Sequence, residues 1–238
     1  MRRTSKALKA MGTCALLAVM VLAVAPSGAV AKQHAPVLPP TAHPFGQSYS
    51  AWAADWWQWA LEQPTATNPL VDPTGANCAS RQQGKVWFLA GTITSDPVER
   101  SCTVRVGTAL VFPVVNSFYC VDPGQPDPGE AFLREQVAFV RTSATGLTAT
   151  IDEATVRNVR AYYEESEIFF VDIPADNPLM APGGTYGPCV DAGYYIAVRS
   201  LPPGEHTIHF GGSLPGSLPG QVVDVDVTYT ITVVRGHR

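Results

Sequence analysis

Charge is scarce in this sequence. Only 15% of its 238 residues are Asp, Glu, Lys or Arg, and basic residues number 16 against 20 acidic ones. Four of the basic residues, Arg2, Arg3, Lys6 and Lys9, fall in the first 31 positions, which contain no acid. The remainder therefore carries 12 basic and 20 acidic groups, a net charge of −8. The nearest approach to a basic patch, Arg157 and Arg160, is flanked by Asp152, Glu153, Glu164 and Glu165. Phosphate recognition needs a basic surface, so nucleic acid is excluded as an expected partner.

Other chemistries are missing as well. No cysteine pair has CxxC spacing, which argues against a zinc site. The serines of "GSLPG", Ser213 and Ser217, are followed by Leu-Pro, so there is no G-x-S-x-G elbow. A glycine-rich phosphate loop ending in lysine and a dinucleotide fingerprint are also absent. The longest apolar run, Met11 to Val24, is too short to cross a hydrocarbon core of about 30 Å and is soon followed by Pro26 and Gly28.

That run reads instead as part of a signal peptide over residues 1–31: basic start, apolar middle, and Ala29-Val30-Ala31 as the small-x-small cleavage pattern. Export as a secreted, extracellular protein with no transmembrane anchor after signal removal is the expectation; Sec and twin-arginine routes both fit Arg2-Arg3. Cys14 leaves with the signal. Four cysteines then remain, Cys78, Cys102, Cys120 and Cys189, an even number suited to an oxidising compartment. They allow three connectivities. Cys78 with Cys102 and Cys120 with Cys189 is favoured, because the first pair flanks an apparent hairpin and the second ties down two long loops. All four are read as structural.

Residues 32–46 hold Pro36, Pro39, Pro40 and Pro44 and no periodic apolar face, so an extended leader is expected, with His34 and His43 solvated on it. A single domain over 47–238 follows. It opens with "AWAADWWQWALEQ", where Trp52, Trp56, Trp57 and Trp59 fall within eight positions. At 100° per residue this is an amphipathic helix, capped by Ser48 or Ser50 and ended by Pro64. Its apolar arc is about 200° wide, against the stripe of about 100° that one packing surface needs. Trp52 and Trp56 lie mid-arc and are expected to be buried; Trp57 and Trp59 lie on the flanks and are the candidate ligand-binding indoles.

Strand signals dominate the rest. "KVWFLAGTI", "CTVRVG" and "TALVFPVVN" read as antiparallel strands, and "GLTATID", "SEIFFVDI", "YYIAVRS" and "HTIHF" follow. "PADNPLMAPGGTYGPCVDAG" reads as a long loop. Val223 to Val233 alternate with Asp and Thr, the mark of a strand with one buried and one wet face. A second helix, "EAFLREQVAFVR", is expected from Asp127 as N-cap with Glu130 in capping-box spacing, burying Phe132, Leu133, Val137 and Val140. The fold class is mainly β: an antiparallel β-sandwich or jelly roll with an N-terminal Trp-rich helix and one further helix. The Trp-rich helix, "VWFLAG", "FPVVNS" and "LPPGEHTIHF" together resemble an anonymous group of secreted bacterial β-rich proteins of unknown function. That resemblance implies a secreted β-rich fold and assigns no activity or site residue.

Candidate chemistry is thin. His206 and His209, three apart in a strand, point to opposite faces and do not share an ion. Asp172, Asp176 and Asn177 offer oxygens of the kind calcium takes, without the spacing of a known loop; no other cofactor and no metal site is expected. In "YYEESE", Glu165 and Glu167 would share a strand face, roughly 6.6 Å apart, as a glycosidase acid pair. Asp191, just after Cys189, is a further acid candidate. The leading expectation is an extracellular protein that binds a glycan or envelope component. A polysaccharide hydrolase or lyase using those carboxylates is the alternative, and a partner-binding or inhibitor module docking through the Trp-rich helix the second. Whether the protein is an enzyme is left open, leaning towards binding.

Overall fold

The computed structural model describes residues 35–216 and 220–236. The signal-peptide reading of residues 1–31, Cys14 and His34 lie outside the described residues. Two sheets form a β-sandwich. The first contains β1 (Val86–Phe88), β3 (Ala109–Cys120), β8 (Gly184–Val198), β6 (Tyr163–Glu165) and β7 (Phe169–Ile173), in the order β1-β3-β8-β6 with β7 also paired to β8. The second runs β2-β10-β9-β4-β5, from β2 (Val98–Arg105), β10 (Val222–Val234), β9 (Gly204–Pro215), β4 (Thr145–Ile151) and β5 (Ala154–Thr155). Phe112 of the first sheet stacks on Phe210 of the second at 4.5 Å between ring centroids, which places the core between them.

The alternation in β10 behaves as its sequence dictates: Val227, Tyr229, Ile231 and Val233 are buried. Two pairings are parallel, β1 with β3 and β2 with β10. The expected antiparallel run of β1, β2 and β3 is therefore corrected: β2 crosses to the other sheet and pairs with a strand more than half the chain away. β8 starts at Gly184, inside the stretch read as a loop. From Cys189 to Val198 all its residues are buried, so neither face leaves an alternating pattern.

Both disulfides have the favoured pairing, Cys78–Cys102 and Cys120–Cys189. Their setting differs from the expected one. Cys120 and Cys189 are direct cross-strand partners of β3 and β8, and Cys102 lies in β2, opposite sheet from β1. In the chain-entropy view, the longer loop, with a sequence separation of 69, gains the larger stabilisation, roughly 4 kcal/mol.

The Trp-rich helix α1 spans Tyr49–Leu61, with the Ser48 hydroxyl accepting the Ala51 N–H at 3.1 Å as its cap. It packs on β3, β6, β7 and β8 of the first sheet. The leader is docked along β8, where Val37 bridges Val198 and Leu38 N–H donates to Ala197 O. The second predicted helix is two: α2 (Glu130–Val137) and α3 (Phe139–Ser143). At the junction Ala138 N–H donates three residues back to Glu135, a tightened turn, and Val140 continues the buried line of Leu133 and Val137 across it. Gly129, not Asp127, is the N-cap residue; the Asp127 carboxylate accepts the Gly129 N–H one step outside. Phe132 is 42% exposed, lying edge-on to Tyr119, rather than buried.

Candidate functional site

Strand β3 contains Pro113, which has no N–H to give to a ladder. Beside it the register slips: Pro113 pairs with Tyr195, but Asn116 pairs with Gly193, so β3 has one residue more than β8 across this step. The resulting bulge at Val114 and Val115 re-aims the following side chains. Asn116, Ser117 and Phe118 there border a cleft of about 450 Å³. Trp57 from α1, Thr92 from the loop after β1, and Val223 from β10 complete its main walls. Every residue lining this cleft, among the described residues, is uncharged.

Two of the lining side chains are held from behind by a buried acid. The Trp57 indole N–H donates to Asp191 Oδ2 at 2.7 Å, and the Tyr195 hydroxyl donates to Asp191 Oδ1 at 2.9 Å. Tyr195 in turn accepts from the Asn116 amide at 2.9 Å. Asp191 and Tyr195 are four apart on one strand and so share a face of β8. Gly193 between them makes room: a Cβ there would lie 2.6 Å from Asn116 Cβ and 2.9 Å from the Tyr195 ring. Asp191 is fully buried. Burial pushes its carboxyl well above the usual range, against the pull of the Trp57 and Tyr195 hydrogen bonds; Glu165 adds to the rise. Burial raises the Tyr195 phenol as well, with the Asp191 charge in support.

The opposite wall is fixed by a buried guanidinium. Arg100, 3% exposed, donates through Nη1 to the carbonyls of Ala90 and Gly91, both at 2.8 Å, and to the Tyr229 hydroxyl at 3.0 Å. Its Nε donates to Asp72 O at 2.7 Å. The loop carrying Gly91 and Thr92 is thereby tied to the second sheet. A cleft with both walls braced in this way changes shape little on binding, and that lowers the entropic cost of holding a ligand.

The four indoles are distributed differently from the expectation. Trp57 and Trp59 are each 7% exposed and Trp56 1%, while Trp52 is the half-buried one. Each indole N–H has an internal acceptor: Pro44 O for Trp52, Leu89 O for Trp56, Asp191 for Trp57 and Ser80 O for Trp59. The exposed-flank reading of Trp57 and Trp59 is thus corrected. The wide apolar arc of α1 is covered on several sides, by the first sheet, by the leader turn and by residues 78–91. Trp57 nevertheless borders the cleft, packed against Phe118 at 4.2 Å, and Trp59 borders a smaller polar depression beside Trp52 and Asp55.

The candidate acids are not brought together as expected. β6 ends at Glu165, and Ser166 turns inward, its hydroxyl accepting the Asp191 N–H at 2.8 Å. Glu167 is exposed beyond the strand, so Glu165 and Glu167 do not share a strand face. Glu165 is engaged by the Tyr163 hydroxyl at 3.0 Å and by Arg134 at 3.5 Å. Asp191 was legible as an acid beside Cys189, but not as a buried one. Among the calcium candidates, Asp172 accepts from the Thr185 hydroxyl at 2.6 Å, and the Asn177 oxygen accepts the N–H groups of Leu179 and Ala181. Among the described residues no group of three His, Cys, Asp or Glu is placed to hold a metal ion. His206 turns inward to Asp152 and Pro202 O, and His209 outward to Asp226. No helix among the described residues is long and apolar enough to cross a membrane.

No family model, curated protein or solved structure matches this chain.

Proposed function

We propose that this is a secreted extracellular protein that binds an uncharged glycan of an envelope or matrix in the cleft at the β3 bulge. The observation that carries this reading is the bracing of Trp57 and Asn116 by one buried Asp191–Tyr195 unit. An aromatic surface and an amide, held in fixed relation and flanked by the Ser117 and Thr92 hydroxyls, match the apolar face and hydroxyl rim of a sugar ring. The absence of any ionisable group among the lining residues selects for a neutral ligand, because a charged one would lose its hydration without gaining a partner. Two disulfides fit an oxidising compartment, and the sequence of residues 1–31 fits export.

The hydrolase reading is less well supported. Asp191 is closed off from the cleft behind Trp57 and Tyr195, and Glu165 is occupied on β6, so no pair of carboxyl groups faces a common space there. The test is a tryptophan-fluorescence titration of the purified protein with neutral cell-wall and plant glycans and with acidic ones, scoring release of reducing ends in parallel. Saturable binding of a neutral glycan, weakened at least tenfold by Asn116→Leu with the melting temperature kept, is the expected result. Binding confined to acidic glycans, or to none, removes the proposal.

A further inference from the structure

Beyond the cleft lies a second depression of about 480 Å³, bordered by Phe139 and Ser143 of α3 and by Pro215 and Gln221 of the β9–β10 hairpin. It shares Asn116, Ser117, Leu214 and Val223 with the first, so the two are continuous along one groove. Its chemistry repeats that of the cleft. One ring, Phe139, half-buried, takes the place of Phe118; hydroxyl and amide groups from Ser143 and Gln221 accompany it; and again every lining residue among the described ones is uncharged.

A groove for an alkyl chain would be apolar throughout. Here the amide of Asn116 and the hydroxyl of Ser117 sit between two aromatic-bordered basins, an alternation of apolar surface and hydrogen-bonding groups. A linear sugar polymer presents the same alternation, with a ring face in each unit and hydroxyls around it. The amide at the junction is also the one fixed by Tyr195, so the boundary between basins has a set position.

We propose that the second depression is a continuation subsite, taking the next units of an uncharged linear oligosaccharide whose end lies in the cleft. This extends the binding reading above and rests on it. The two basins bind one chain, and affinity grows with chain length until both are filled.

Isothermal titration with neutral oligomers of glucose and of N-acetylglucosamine, from one unit to six, tests this. For the series that binds, affinity is expected to rise at least tenfold between the shortest binding oligomer and the longest, then level off. Phe139→Ala is expected to abolish that rise and leave the shortest oligomer's affinity unchanged. Because Phe139 also packs on the core, Ser143→Phe, which fills the depression from the half-buried last residue of α3, is the companion variant and is expected to do the same. A length-independent affinity, or a rise that survives both variants, overturns the subsite while leaving the cleft reading intact. Displacement of the oligomer's outer units by an uncharged monoacylglycerol, with no effect of sugar length, also overturns it. If no oligomer of any length binds, the cleft reading falls first and the subsite with it.

Discussion

The two sheets solve the same problem in different ways. In the second, β10 buries one face and wets the other: Val227, Tyr229, Ile231 and Val233 go in, and Thr230 and Asp224 stay out or half-out. In the first, β8 is buried at every residue from Cys189 to Val198, with α1, α2 and α3 packed on it and the leader bridged to its end. A one-sided strand tolerates polar residues freely on its outer face. A two-sided strand must satisfy every polar atom internally, and three polar residues of β8, Asp191, Tyr194 and Tyr195, together with Asn116 opposite on β3, are all hydrogen-bonded. The site therefore sits on the sheet where a change is hardest to absorb.

The sharpest way to break this comparison is Asp191→Ala. It strands the Trp57 N–H and the Tyr195 hydroxyl in a dry interior, and a loss of about 3 kcal/mol is expected in chemical denaturation. Asp191→Asn keeps the shape and is expected to cost less. It also removes a pH dependence: a carboxyl whose folded value is raised above its unfolded one loses stabilising effect as pH climbs from the unfolded value toward the folded one. The wild-type melting temperature is thus expected to fall over that window more than that of Asp191→Asn. Equal slopes would show that Asp191 is not the titrating group.

A smaller effect is expected at the edge of the second sheet. His206 Nδ1–H donates to the Asp152 carboxylate at 2.6 Å and holds the turn between β4 and β5 against β9. Burial works against its charged form, but the Asp152 carboxylate outweighs it and the imidazole is raised. Its contribution is fully present below the unfolded value, about 6.5, and is lost as pH rises through the folded one. Comparing the melting temperatures of wild type and His206→Gln at pH 5.5 and pH 8 checks this: the gap is expected to be wider at pH 5.5. The smallest effect is expected for Thr230→Val on the wet side of β10, within about 0.5 kcal/mol by urea denaturation. A loss comparable with Asp191→Ala would mean that the outer face of the second sheet is itself covered.

The same contrast governs what was legible in the sequence. β10, β4 and β9 announce themselves because a wet face leaves alternation behind. β8 does not, and its first residues, Gly184 to Pro188, with two glycines and a proline, read as loop although they lie in the strand. The disulfide pairing was legible while the hairpin invoked for it was not, because cysteine spacing limits partners and says nothing about which sheet each strand joins. Helix α1 was legible, with its cap. The fate of its indoles was not, since Trp57 depends on an acid 134 residues away. The cleft itself left one local signal, Pro113 inside a strand, which is where a bulge is to be expected.

The pairing of β2 with β10 has a consequence in time rather than in space. Val98 waits for Val227, so the second sheet has no complete edge-to-edge register until almost the whole described chain has left the ribosome. Folds dominated by such distant contacts form slowly, because the loop must close before any contact rewards it. For a nascent chain, the first sheet's apolar inner face stays uncovered throughout that interval and is a target for chaperones and for aggregation. This topology delays its own closure.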